Sequence, residues 1–251
     1  MNNIPLVSCI CVTKNPWEIL KRSIFCFLSQ TYANKELVIV RQGNDKQIAS
    51  RISALRKENI KLYIIPNSSN VTIGEMRNFA IDRSAGHYFC AWDDDDWHHP
   101  DRIAKQMEPI FLGNFEASVL TNLLIYDETT KKGYFSGFRL WEGTILCNKI
   151  IYNQGVRYPH LSRNEDANLL AQIHKSGRVF PVVGTTEYIY IYHGNNTWNQ
   201  EHFLKNIFRQ ELSPEVSNIL GRITAEDPSN ELPKTKELSR ILKELNHFYT
   251  K

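Results

Sequence analysis

Four consecutive carboxylates, Asp93-Asp94-Asp95-Asp96, stand between Trp92 and Trp97 in a chain of 251 residues. Adjacent carboxylates repel one another unless water or a cation neutralises them. Here they follow an apolar run, residues 87–92, that reads as a buried strand. Hard oxygen ligands on a rigid strand end suit Mg²⁺ or Mn²⁺. Such ions take one or two protein carboxylates and complete their shell with substrate phosphates and water. Asp93 and Asp95, two residues apart, are spaced to share one ion or one ion–diphosphate unit. The plainer alternative is a solvated acidic turn before the helix that follows Pro100, since acids favour helix starts. Four in a row between tryptophans exceed that need.

Alternating strand and helix signals position these acids. Residues 6–13, 36–40, 61–65 and 87–92 are continuous apolar runs. Residues 17–29, 46–58, 73–83 and the stretch from Pro100 toward Phe111 carry helical spacing. This order predicts an α/β fold with a mainly parallel sheet flanked by helices, its strands apolar throughout because both faces are covered. The acids then lie at the carboxyl edge of a central strand, where open α/β sheets bind ligands. Farther along, residues 117–126, 134–141 and 187–192 read as strands, with a turn at residues 131–133. Residues 164–176 and 199–210 read as helices, the first stopped by Gly177. From residue 211, Ser213-Pro214, Asp227-Pro228 and Leu232-Pro233 punctuate short helical stretches. The expected organisation is a catalytic unit over 1–210, in halves 1–112 and 113–210, with a helical tail over 211–251.

Composition excludes several classes. With 42% hydrophobic and 23% charged residues, the chain is a folded globular protein. Its 30 basic and 27 acidic residues leave a net charge of +3 with no long basic run, so nucleic acid is not an expected partner. No apolar stretch is long enough to span a membrane, and the N-terminus has no basic leader. The five cysteines form no CxxC pair, which fits reduced thiols in a cytoplasmic protein and argues against zinc. No glycine pattern fits GxGxxG or GxxxxGK[ST], which disfavours a dehydrogenase, a P-loop enzyme or a nucleotidyltransferase.

Four collinear segments over about residues 5–200 resemble the family 2 glycosyltransferases of GT-A fold. Val7-Ser8-Cys9-Ile10-Cys11-Val12-Thr13-Lys14-Asn15 looks like the family's opening strand. Ser29-Gln30-Thr31-Tyr32-Ala33-Asn34-Lys35-Glu36 resembles its Ser-Gln-Thr-Tyr-x-Asn-x-Glu segment. Gly74-Glu75-Met76-Arg77-Asn78 resembles its Gly-x-x-x-Arg-Asn helix, here with two residues between glycine and arginine, and Asp93-Asp94-Asp95-Asp96-Trp97 its Asp-x-Asp-Asp-Trp metal motif. Two departures stand out. Arg41 and Gln42 replace an acidic pair, and Lys14 replaces a tyrosine; both alter the pocket for the nucleotide base.

The resemblance implies transfer of a sugar, with inversion, from a nucleoside diphosphate sugar to a hydroxyl of a carbohydrate or glycolipid acceptor. It implies bacterial surface polysaccharide or glycoconjugate synthesis, assisted by Mn²⁺ or Mg²⁺. Thr13, Lys14, Asn15, Arg41, Gln42, Arg77, Asp93 and Asp94 would bind the donor. Asp93 and Asp95 would hold the metal, with His193 either completing its shell or serving as an ordinary loop histidine. The general base falls in the pair Glu165-Asp166 at a helix start, Asp166 first and Glu165 its close competitor. Trp141 either stacks on an acceptor sugar or belongs to the core, and His98 and His99 read as local helix-start residues. Lys234, Lys236, Arg240, Lys243 and Lys251 alternate with Leu238, Ile241, Leu242 and Leu245. That helix either packs on the catalytic unit or lies peripherally on a membrane. A different class, a catalytically degenerate nucleotide-sugar binder or assembly scaffold, is kept open by Arg41 and Gln42.

Overall fold

The computed structural model describes residues 4–68, 70–184, 186–225 and 235–249. Strands β1 (Val7–Thr13), β2 (Lys35–Gln42), β3 (Ile60–Ile65) and β4 (Tyr88–Ala91) pair in parallel. The helices between them are α1 (Trp17–Leu28), α2 (Lys46–Ala54) and α3 (Ile73–Arg83). Helix α3 begins in a capping box: Thr72 Oγ1 accepts from the Glu75 amide while the Glu75 carboxylate accepts from the Thr72 amide. The two-residue β5 (Trp97–His98) and helix α4 (Arg102–Gly113) follow the acids.

The second half departs from expectation in identifiable ways. The 117–126 run divides into β6 (Ala117–Leu120) and β7 (Leu124–Asp127), which belong to different sheets. The buried Thr121 and Asn122 make the crossing; the Thr121 hydroxyl donates to Asn122 Oδ1 at 3.0 Å. The 134–141 strand shrinks to β8 (Lys132–Phe135), because Gly137 takes a left-handed φ of 68° and turns the chain. Three elements had no expectation: β9 (Leu146–Asn148), α5 (Lys149–Asn153) and β10 (Val179–Val182). Helix α6 (Glu165–Ser176) and β11 (Tyr188–Tyr192) fall where the periodicity put them. The 199–210 helix is instead a single turn, α7 (Gln200–His202), a π turn at Phe203–Ile207, and β12 (Gln210–Glu211).

The large sheet has seven strands in the order β10-β6-β9-β4-β1-β2-β3, and β9 runs antiparallel between β4 and β6. It is therefore mixed on the side nearer the acids. The smaller sheet, β12-β8-β7-β11-β5, closes over that side. Helix α8 (Pro214–Ala225) lays Val216, Ile219, Leu220 and Ile223 into the same core as Cys9, Phe27 and Trp92. Ile241 and Leu245 of α9 (Thr235–Tyr249) join that core, while Leu242 is exposed. Lys234 and Lys251 lie outside the described residues. Among the described residues, no helix is long and apolar enough to cross a membrane.

One close approach ties α3 to the loop before α6. Gly74 N–H donates to Leu161 O at 2.9 Å, and a Cβ at Gly74 would stand 2.0 Å from Pro159 O. Gly74→Ala is expected to destabilise the protein by about 1–3 kcal/mol, as for overpacked sites where the obstacle is backbone. Urea unfolding at equal m-value checks this; an unchanged midpoint contradicts it.

Candidate active site

The acids emerge just after β4 and turn to different sets of partners, with the Tyr188 hydroxyl shared by Asp93 and Asp96. Asp94 accepts from the Thr13 hydroxyl at the end of β1 and from Asn15 Nδ2 at 3.0 Å. Asp96 is fully buried; it accepts from the Tyr188 hydroxyl and from the Ile191 amide at 2.7 Å, both on β11. Asp95 lies 3.1 Å from His193 Nε2, just past the end of β11. Arg22 of α1 donates to the Asp95 carbonyl at 2.9 Å and pairs with Glu128 at 3.1 Å. Asp93 faces Arg77 at 3.1 Å and the Tyr188 hydroxyl at 3.3 Å.

Arg77 is the junction of the site. Its buried guanidinium reaches Asp93 at 3.1 Å, Glu165 at 2.9 Å and Asp166 at 2.9 Å, with the Tyr158 ring 5.3 Å away. Glu165 and Asp166 occupy the first turn of α6, after Asn164, whose φ of 60° turns the chain into the helix. Asparagine tolerates that left-handed conformation. Between the two acidic groups runs the single turn Glu142–Thr144. A Cβ on Gly143 would sit 3.4 Å from Asp93 Oδ2 and 3.5 Å from Asp166 Oδ2. Asp93, Asp166 and this turn thus lie against one another.

The electrostatics separate the two candidate bases. Burial pushes Glu165 up to about 7, although Arg77 pulls the other way. Burial would also raise Asp166, but Arg77 and hydrogen bonds from Glu165 and the helix amide hold it below the usual range. Burial, reinforced by neighbouring aspartates, pushes Asp93 up to about 6 and Asp94 up to about 7. Asp96 is raised by burial and by Asp95. His193 is raised by its hydrogen bond with Asp95. Asp93, Asp94 and Glu165 hold protons in the folded protein that the unfolded chain has released, so these three withdraw stability as pH rises from roughly 5 to 8, while the buried, proton-poor His98 and His99 add it. The His193–Asp95 contact acts in the same direction as the three carboxyls, present below the ordinary histidine value and lost above the raised one. Calorimetry of Asp94→Asn beside the wild type isolates the carboxyl: Tm should fall less, or rise more, across that range in the variant, and an identical pH dependence contradicts the assignment.

The remaining expected residues divide. Asn15 joins two regions: its carbonyl accepts from Arg41 at 2.5 Å and its amide donates to Asp94. Lys14, Arg41 and Gln42 line a cleft of about 510 Å³ at the carboxyl ends of β1 and β2, with Asp45, Lys46 and Asn67. Asp45 caps α2 by accepting from the Gln47 and Ile48 amides. Trp141 is not an open stacking platform. Its ring is buried, its Nε1 donates to Ser136 at 3.2 Å, and Arg139 covers its face at 4.5 Å. Burial of the large ring against Tyr190 makes it part of the core.

His98 also differs from the sequence reading: it is buried and stacked on Trp92 at 3.9 Å rather than marking a helix start. Tyr188, Gly143 and Arg102 were not anticipated. One signal was readable: Arg102 and Gln106 share the buried face of α4 with Ile103, Met107 and Ile110. Charged and amide side chains on an apolar helix face require internal partners.

Among the described residues, no three His, Cys, Asp or Glu side chains gather closely enough to hold an ion unaided. The oxygen-rich set at Asp93 and Asp95, with His193 alongside, suits an ion that draws the rest of its shell from a diphosphate and water.

Comparison with known proteins agrees with this architecture. Residues 8–175 match the Glycosyl transferase family 2. The chain is 31% identical to EpsE of Bacillus subtilis over 136 residues, 53% of this chain and 48% of EpsE. It is 26% identical to the amylovoran biosynthesis glycosyltransferase AmsB of Erwinia amylovora over 98 residues, 38% of this chain and 33% of AmsB. The chain thus spans about half or less of these relatives. Staphylococcus aureus TarS 1-349 in complex with UDP-GlcNAc superposes with a TM-score of 0.62 at 14% identity, covering 97% of this chain and 72% of that one. The mannosyltransferase PcManGT of Pyrobaculum calidifontis, solved with GDP-Man and Mn²⁺, gives 0.59 at 13% identity, covering 99% and 76%. Those superpositions show the GT-A fold, and with two thirds of its length matched, this chain belongs to glycosyl transferase family 2.

Proposed function

We propose that the chain is an inverting glycosyltransferase that moves a sugar from a nucleoside diphosphate sugar to a hydroxyl of a carbohydrate or glycolipid acceptor. The observation that carries this reading is Asp166, a carboxylate kept ionised by Arg77 and set beside Asp93 at the Gly143 turn. The acceptor hydroxyl gives its proton to Asp166 as its oxygen bonds to the anomeric carbon. The bond from that carbon to the diphosphate oxygen breaks, and its electron pair leaves with the diphosphate. Attack opposite the leaving group inverts the anomeric centre. Asp95 and Asp93, with His193, would hold Mn²⁺ or Mg²⁺, which supplies positive charge to the leaving diphosphate. Thr13 and Asn15 fix Asp94 beside that position, and the cleft around Lys14, Arg41 and Gln42 takes the nucleoside end.

The name of AmsB points to polysaccharide biosynthesis as the setting. Five buried free thiols suit a reducing cytoplasm. The 1–210 catalytic unit and 211–251 tail are one fold in this reading, since α8 completes the core beneath the smaller sheet.

A panel of UDP, GDP, CDP and dTDP, each with and without Mn²⁺, tests the donor site. A nucleotide at about 100 times its Kd raises stability by about 2.7 kcal/mol. A Mn²⁺-dependent rise in Tm with one of the four is expected. No rise with any of them overturns the proposal.

A further inference from the structure

Beside the acids lies a buried polar network that the transfer chemistry leaves unused. Arg102 is fully buried on α4. Its Nε donates to Gln106 at 3.1 Å, and one terminal nitrogen donates to His98 Nδ1 at 2.6 Å. The other terminal nitrogen donates to Ala91 O at 2.9 Å and Thr144 O at 3.3 Å. Gln106 adds a second bond to Thr144 O at 2.8 Å. All these acceptors are neutral. The guanidinium packs over Trp92 and Tyr188, at 5.1 and 4.9 Å.

We propose that Arg102 and His98 form a buried positioning strut that holds the two walls of the acid site, Asp93 and the Glu142–Thr144 turn, at a fixed separation. Arginine only donates hydrogen bonds, so His98 Nδ1 must accept. The ring proton then sits on Nε2, which donates to Asp93 O at 3.2 Å. Stacking on Trp92 at 3.9 Å and the edge of Tyr188 at 4.9 Å fix the ring's plane. One wall is thus tied to Arg102 through His98 and Ala91, the other directly through the carbonyl beside Gly143. With Gly143 this close to both Asp93 and Asp166, a shift of either wall changes where the reacting atoms meet. A displacement of about 1 Å costs on the order of 10²-fold in rate. The consequence for catalysis rests on the transferase reading; the strut itself does not.

The test uses the full chain with Arg102→Met and His98→Phe, the second keeping the aromatic stack and losing both hydrogen bonds. Backbone hydrogen exchange is followed at residues 93–97 and 142–144, alongside kcat and donor KM. His98→Phe is expected to speed exchange at 93–97 at least tenfold and leave 142–144 as in the wild type. It should lower kcat at least tenfold with donor KM within twofold, and His98→Gln should recover part of both effects. Arg102→Met should speed exchange in both segments. Folded His98→Phe with wild-type exchange at 93–97, or with wild-type kcat, overturns the strut, whether or not Arg102→Met folds. If the wild type transfers no sugar from any donor, the transferase reading fails while hydrogen exchange still decides the strut.

Discussion

Asp166→Asn is expected to lower the sugar-transfer rate by about 10²- to 10⁴-fold, the usual worth of a positioned general base. The substitution keeps the shape of the side chain and removes its ability to take a proton. Arg77 retains Glu165 at 2.9 Å and Asp93 at 3.1 Å, so the junction survives. Nucleotide binding should therefore stay within a few-fold of wild type when measured by calorimetry. That combination also separates an enzyme from a binder or scaffold, which would lose nothing. Glu165→Gln should cost far less, because burial already holds that carboxyl up to about 7 and leaves it partly protonated at neutral pH. If Glu165→Gln abolishes turnover and Asp166→Asn does not, the two roles exchange.

Arg77→Met carries the largest expected effect on stability. Among the described residues, this arginine is the one cation paired with three acids that meet in a buried place, and removing it leaves their charges facing one another. Removing one side of a buried ion pair costs about 3–5 kcal/mol. Arg77 is also what draws Asp166 below its usual range against burial, so the acidic limb of the kcat profile should move to higher pH in the variant. Guanidinium unfolding and a pH–rate series measure the two effects. Arg77→Lys should recover only part of each, since an ammonium cannot reach three carboxylates with a rigid fork. A stability within about 1 kcal/mol of wild type, ordinary for a surface change, would contradict this account.

Much of the fold was readable because the first half repeats one simple rule. Continuous apolar runs such as residues 36–40 fit strands covered on both faces, and the helical spacing of residues 73–83 places α3. The second half was harder for local reasons. Strand β9 has three residues, too few for any period to show, and β10 contains Pro181. The run at 117–126 is apolar on both sides of Thr121, so nothing in its pattern marks the change of sheet. At the site, acids were readable by type and crowding, but their partners were not. That Asp93 belongs with Arg77 and Asp95 with His193 depends on chain segments up to 98 positions apart. Trp141 shows the reverse limit: the same residue type serves a sugar face or a core, and only burial decides.

The core that contains Cys9 and Trp92 also contains Leu220 of α8 and Leu245 of α9. During synthesis the first four strands therefore leave the ribosome long before the side chains that complete their cover exist. The emerging half must wait with apolar surface open to water, a state prone to aggregation. Helices α8 and α9, made long after these strands, act as their closing stone, so the first half gains its full cover only once both helices are in place.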